Sequence, residues 1–328
     1  MPFPIEKKFV IAVSSSALFD MKESDEVFKS KGVEAYRKYQ TEKIDVCLGK
    51  GVAFPFIRRF LSLNNVFPEM KPVEVVLLSK NSPECGLRVM RSISSYGLDI
   101  TRANFSSGMD NFQYLPAFNA TMFLSANPND TKSAIEAGYA AGTVLNTKVI
   151  DDENDKELRL AFDFDGVIAD DSAETYYKKE GIDKYMEHEK MLASQPLHQG
   201  PIGELLKKVS YFQNLERRTV KDVKDAVLKT AIVTARNAPA HERVVTTLRD
   251  LGIDVDQVFF LGGIDKKRIL ETMRPHIFFD DQMAHLEQLT DIPAVHIPFG
   301  IANKASQDEK ETRGEGKSKR CFLKKIFN

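Results

Sequence analysis

Asp163 and Asp165 stand two apart at the end of the apolar run in Leu158 to Asp171, LRLAFDFDGVIADD. Side chains two apart on a strand share a face, so a strand continuing this far aims both carboxylates at one point. Like charges that close need a cation or a proton. A lone DxDG is weak evidence, because acids closing a strand commonly belong to a solvated turn. Three later segments strengthen it. Thr230 to Arg236, TAIVTAR, ends an apolar run in the hydroxyl of Thr234; Gly262 to Arg268, GGIDKKR, brings Lys266 and Lys267; Ile277 to Gln282, IFFDDQ, ends in Asp280 and Asp281. Together these groups suit phosphoryl transfer. Asp163 would attack phosphorus and carry an aspartyl-phosphate, while Asp165 would protonate the leaving oxygen and then deprotonate water. Thr234 and Lys266 would hold the phosphoryl oxygens. Asp163, Asp165, Asp280 and Asp281 would hold a hard cation, most simply Mg²⁺.

Such residues must be presented by a parallel α/β sheet, whose carboxyl edge is where ligands bind. Their order, a carboxylate pair, a hydroxyl, a lysine and a second carboxylate pair, resembles the four motifs of the haloacid dehalogenase-like phosphatase superfamily. That resemblance implies a helical cap inserted after the first motif, here about 170–227, a stretch with helix-forming composition. The unit also repeats. At an offset of 155, Val75 to Gly108 lies over Thr230 to Gly263, with identities such as Arg88/Arg243 and Gly97/Gly252. At an offset of 149, IAVSSSALF lies over LAFDFDGVI, with Gly32/Gly181, Tyr36/Tyr185 and Gly51/Gly200 in register. At the chemical positions the first copy has Ser14, Ser16, Ser79, Asn111, Ser125 and Ala126 in place of Asp163, Asp165, Thr234, Lys266, Asp280 and Asp281. The expected architecture is therefore two Rossmann-like haloacid dehalogenase-type units from an internal duplication, with parallel sheets and helical cap insertions. Residues 1–150 form a catalytically inactive copy, 151–300 the catalytic unit, and 301–328 a disordered polar and basic tail.

Composition sets limits. A chain of 328 residues is long enough for two domains. A net charge of -1 supplies no field to recruit nucleic acid. Cys47, Cys85 and Cys321 are scattered, odd in number and outside metal-binding spacing, which fits a reducing, cytoplasmic compartment. No apolar run approaches the roughly 20 residues that span a bilayer. Lys7-Lys8 with FVIAVSSSALF imitates a secretory signal, but the strongly apolar part, Phe9 to Val13, is short of the roughly 7–15 residues such a signal needs and reads as a strand. The acidic run Asp151 to Glu157 reads as a linker or exposed turn. KRCFLKKIFN at the end is too short for confident anchoring.

A narrower resemblance covers about residues 9 to 300. EAYRKYQ, GVAFPF, FLSAN, YMEHEK, QPLHQGP, IVTARNAP and above all RPHIFFDDQMAH resemble the cytosolic 5'-nucleotidases of the AMP-preferring type. One departure is Asp165-Gly166, where animal members carry alanine after the second aspartate. The resemblance implies Mg²⁺-dependent hydrolysis of nucleoside 5'-monophosphates, AMP first, with IMP and deoxynucleotides as further candidates. The residues alone reach only phosphomonoester hydrolysis, so a phosphatase for another small metabolite, or a nucleotide-binding sensor without turnover, stays open. Lys190 in EHEKM and Gln199 in LHQGP are expected to help recognise the nucleoside from the cap; Arg236 reaches a phosphate or pairs with an acid. His188 and His198 read as surface or packing histidines, and Phe278 and Phe279 as core strand. Base preference, allosteric activation and homo-oligomerisation are not legible in the sequence.

Overall fold

The computed structural model describes residues 3–303. Strand β1 (Phe9–Val13) is wholly buried, as its unbroken apolar run requires. Ser14 then caps the short α1 (Ser15–Leu18), its hydroxyl accepting from the Ala17 amide. A small ribbon pairs β2 (Phe19–Asp20) with β3 (Gly49–Lys50), on either side of α2 (Lys22–Glu42). Gly32, at φ 80°, breaks α2 into two helical pieces. Helix α3 (Phe54–Val66), β4 (Val73–Ser79), α4 (Pro83–Ser95), β5 (Arg102–Phe105), β6 (Ala120–Ser125), α5 (Pro128–Glu136) and β7 (Ala141–Val144) complete the first half.

The second half opens with β8 (Leu158–Phe162), followed by α6 (Ser172–Glu180), α7 (Ile182–Met191) and α8 (Gly203–Arg217). Gly181, at φ 83°, separates α6 from α7 as Gly32 divides α2. Then come β9 (Leu228–Thr234), α9 (His241–Leu251), β10 (Gln257–Phe260), α10 (Lys266–Met273), β11 (Ile277–Asp280), α11 (Met283–Leu286) and β12 (Ala294–His296).

Ten of these strands form one sheet in the order β10-β9-β8-β11-β12-β7-β6-β1-β4-β5. Every pairing is parallel except the central one, β12 with β7, which rests on Val295↔Val144 and His296↔Thr143. The chain is thus α/β, with a large and mostly parallel sheet. Read outward from that seam, the two halves have the same strand order and register. Phe9 pairs with Val73 as Leu158 pairs with Leu228, and Ala12 pairs with Phe123 as Ala161 pairs with Phe278. The core does not stop at the seam. Helix α3 packs on β8 and α8 on β6, and Phe9 stacks on Phe212 at 5.9 Å, so one apolar cluster runs through both halves.

The acidic connection is less free than its composition implies. Most of it is exposed, but the Asp151 side chain is only 4% accessible and is held by Lys50, Arg58 and Arg59 at 3.1, 2.6 and 2.8 Å. At the far end Ile301 donates its amide to Asp171 and the Asn303 side chain donates to the Asp281 carbonyl. The remainder of the tail reading, residues 304–328, lies outside the described residues.

Candidate active site

Asp163 directly follows β8, with its amide bonded to Phe279 O at 2.8 Å and its Oδ1 accepting the Phe164 amide at 2.7 Å. Asp280 ends β11, the strand beside it, and is completely buried. Between them, the first residue of α10 sends a buried ammonium: Lys266 Nζ is 2.9 Å from Asp163 and 2.7 Å from Asp280. Lys266 remains charged there, because the two carboxylates outweigh its burial. Thr234 ends β9 on the other side of β8, buried, its hydroxyl accepting the Arg236 amide at 3.3 Å. The four motifs are therefore gathered at the carboxyl ends of β8, β9 and β11 and the start of α10.

The electrostatics are unbalanced. Burial pushes the Asp163 carboxyl up, with the Asp280 charge adding to it and Lys266 opposing it. Asp280 is also penalised by burial, yet Lys266 and His285 hold it below its ordinary value. Asp281 has only the Lys266 charge in its favour, and that counts for less than the acids around it. Its side chain is buried, both of its oxygens lack a hydrogen-bond partner, and burial together with the charges of Asp163 and Asp280 pushes it up to about 9. A buried carboxylate left this way is costly unless a cation meets it. Gly166, at φ 71°, leaves room for it: a Cβ there would come within 2.6 Å of Asp281 Oδ2.

Asp165 is 17% accessible and is clamped by Arg236, whose Nε and Nη2 each donate to one carboxylate oxygen at 2.7 Å. The third arm, Nη1, donates to Glu189 on α7 and to the Ala240 carbonyl. Arg236 is thus spent on acids instead of standing open to a phosphate. Lys190 is exposed on α7, and Gln199 is exposed in the loop bridged to Ala169; neither is among the residues that line the cavity beside Asp281.

Reading the sequence missed two residues. His285, on α11, approaches Asp280 at 3.1 Å and lies close enough to Asp163 and Asp280 to share an ion with them. Its signal was its place five residues after Asp280, about one helical turn beyond the acids. Glu189 is fully buried and binds Arg243 at 2.7 Å as well as Arg236. Its signal was its spacing of four from Tyr185, which puts both on the buried face of α7.

Beside the acids a cavity of about 1190 Å³ opens at the seam between the halves. Asp281, Gln282 and His296 line it from the second half, and Phe19, Lys22 and Lys50 from the first.

Comparison with known proteins gives the geometry a lineage. Residues 1–304 match the family model described as 5'-nucleotidase. Human cytosolic 5'-nucleotidase 1B is 34% identical over 301 residues, which is 87% of this chain and 48% of that protein. The chain spans about half the length of that curated relative. No solved structure matches it. Since the family match takes in both halves and every motif at the carboxyl edge, the chain belongs to the 5'-nucleotidase family.

Proposed function

We propose that the chain is a Mg²⁺-dependent hydrolase of nucleoside 5'-monophosphates, with AMP as its reference substrate and phosphate and nucleoside as products. The observation that carries this reading is the buried Asp163–Lys266–Asp280 triplet beside the unpartnered Asp281, in a member of the 5'-nucleotidase family.

Asp163 attacks phosphorus, and the bond to the ribose 5'-oxygen breaks as the aspartyl bond forms. Asp165 gives that oxygen its proton, then takes one from the water that attacks the aspartyl-phosphate and restores Asp163. Lys266 and the Thr234 hydroxyl face the phosphoryl oxygens and offset their charge. A bound Mg²⁺, held by Asp163, Asp280 and Asp281 with Asp165 alongside, supplies charge neutralisation of the phosphate and of the crowded acids. Arg236 donates one hydrogen bond to each Asp165 oxygen, which orients the carboxyl group and leaves a second lone pair on each oxygen to carry the transferred proton.

The seam cavity is of the size that takes a small ligand, and Asp281 and Gln282 connect it to the acids, so the nucleoside is read as lying there. Residues 1–150 are read as an inactive copy of the phosphatase unit. Its strand order and register support this, as does the presence of Ser14, Ser79 and Ser125 where the second half has Asp163, Thr234 and Asp280. The test is phosphate release from a panel of nucleoside monophosphates and sugar phosphates, with Mg²⁺ and with EDTA. Faster turnover of a sugar phosphate would replace the substrate assignment, and no turnover of any ester would remove the hydrolase reading.

A further inference from the structure

We infer that Glu189 is a positioning residue for the reaction and acts through Arg236, which sets where the Asp165 carboxylate sits. The inference rests on the hydrolase reading above and concerns only how its proton-transfer group is held.

Four charges meet here, Asp165, Arg236, Glu189 and Arg243, and the last three are largely or wholly buried. Glu189 is 0% and the Arg236 side chain 3% accessible, and Arg236 fixes both oxygens of Asp165. A guanidinium this buried requires carboxylate partners. Glu189, which Arg236 shares with Arg243, keeps a carboxylate on Nη1 when Asp165 takes up its proton and loses its charge, so the cation is not stranded in the core. Tyr185, four residues before Glu189 on α7, and Phe164 lie beside the guanidinium and keep it from swinging aside.

The first half supplies an internal control. Its frame at this place is nearly the same. Arg88 Nη1 donates to Gln40 at 3.1 Å and its Nε to Val46 O at 2.9 Å, while Arg243 Nη1 donates to Glu189 at 2.7 Å and its Nε to Gln195 O at 2.9 Å. The Leu48 amide donates to Ser92 as the Leu197 amide donates to Thr247, both at 3.0 Å. The Asn81 amide donates to Ser79 at 3.2 Å as the Arg236 amide donates to Thr234 at 3.3 Å. Within this network the charges differ: Gln40, Asn81 and Ser16 stand in register with Glu189, Arg236 and Asp165. Gln40 satisfies Arg88, so a buried arginine at this position does not need a carboxylate for folding. The carboxylate of Glu189 answers to Arg236, and Arg236 answers to Asp165.

The experiment compares kcat/KM for AMP with that for p-nitrophenyl phosphate, whose leaving group departs as a stabilised anion and needs little help from an acid. Kcat/KM reports the steps up to the first irreversible one, so later hydrolysis of the intermediate does not confuse the comparison. The double variant Glu189→Gln with Arg236→Asn reproduces the pair the first half already folds around, and its melting temperature checks that it folds. We expect kcat/KM for AMP to fall about 100-fold, the low end of a general acid's contribution, and that for p-nitrophenyl phosphate to fall only a few-fold. Glu189→Gln alone should show the same selectivity with a smaller loss. Equal losses on both substrates, or no loss on AMP, overturn the inference. Wild-type protein that hydrolyses glycerol phosphate but not AMP overturns only the nucleotide assignment, and the same ratio is then measured with that alkyl ester. Wild-type protein inactive on every ester overturns both.

Discussion

The two halves present the same strand ends, and they settle their polar groups in opposite ways. In the first half the residues in register with the catalytic candidates are neutral and largely satisfied by near neighbours. Ser14 bonds Ser16 at 3.1 Å, Ser15 bonds Ser79 at 2.9 Å, and Ser125 donates to Asp130 at 3.3 Å. Asn111, in register with Lys266, leaves its side-chain nitrogen without a partner, a neutral loss. In the second half the same edge carries four carboxylates against Lys266 and Arg236, and Asp281 is left without any partner. The first half builds a matching frame of strands and buried hydrogen bonds without those charges, which supports the proposed role of the second half's edge in binding.

The comparison breaks most visibly at the nucleophile. Asp163→Asn is expected to remove turnover of AMP, on the order of 10⁴-fold, with the fold intact, since an amide cannot accept the phosphoryl group. Ser14→Ala, at the matching place in the first half, should leave phosphate release at the wild-type rate. A folded Asp163→Asn protein with appreciable turnover would end the assignment.

A smaller but still large effect is expected where the halves are tied. Asp151→Asn should lower stability by about 3 kcal/mol in thermal or urea unfolding, because it leaves the buried Arg59 without its carboxylate. Burial raises the Asp151 pKa, but hydrogen bonds from Arg58, Arg59 and Lys50 outweigh it and hold the group far below its ordinary value. Its folded pKa is thus depressed, so its contribution is present above about pH 4 and is lost as pH falls further. The gap between wild type and Asp151→Asn should close with acidification.

Asp281 has the opposite sign. Its folded pKa is raised to about 9, so its contribution to stability is fully present below the unfolded value of about 4 and is lost as pH rises toward 9. Metal-free protein should therefore melt lower as pH rises across that window, and added Mg²⁺ should restore more stability at the alkaline end. Asp281→Asn should stabilise the metal-free protein by about 1–3 kcal/mol at neutral pH and erase most of the Mg²⁺ response. An unchanged response in calorimetry would remove Asp281 from the cation site.

The smallest effect expected is that of Gln40→Glu, which gives Arg88 the carboxylate that Arg243 already has. With no buried cation at Asn81 to use it, the cost of burying the new carboxylate and its pairing with Arg88 largely offset each other, so the change should move stability by only about 1 kcal/mol and leave kcat/KM for AMP unaltered.

Much of this was legible in the sequence, for a physical reason. Asp163, Thr234 and Asp280 each close a short buried strand, and an apolar run that stops at a polar residue marks the sheet edge without further context. The two offsets likewise anticipated the register of β1 with β4 and of β8 with β9. The seam did not show, because two residues of antiparallel pairing between β7 and β12 leave no pattern of their own. Glu189 was passed over for its neighbour Lys190, since composition marks a polar helix but only packing decides which polar residue faces inward. Asp151 looked like part of a solvated run because its three cations come from the distant α3 and β3. Arg236 was open to two readings, and the clamp on Asp165 joins residues 71 apart in the sequence.

The seam also bears on how the chain is made. Each set of five strands is continuous in sequence, so the first can assemble on the ribosome before most of the second has emerged. Until β12, the last strand among the described residues, is synthesised, the β7 edge stays open, and an open edge invites pairing with the wrong chain. Its shortness, Ala141–Val144, keeps that exposure small. The two halves can be joined through the sheet only after residues 294–296 are made, and a chain stalled before them would display that edge to its neighbours.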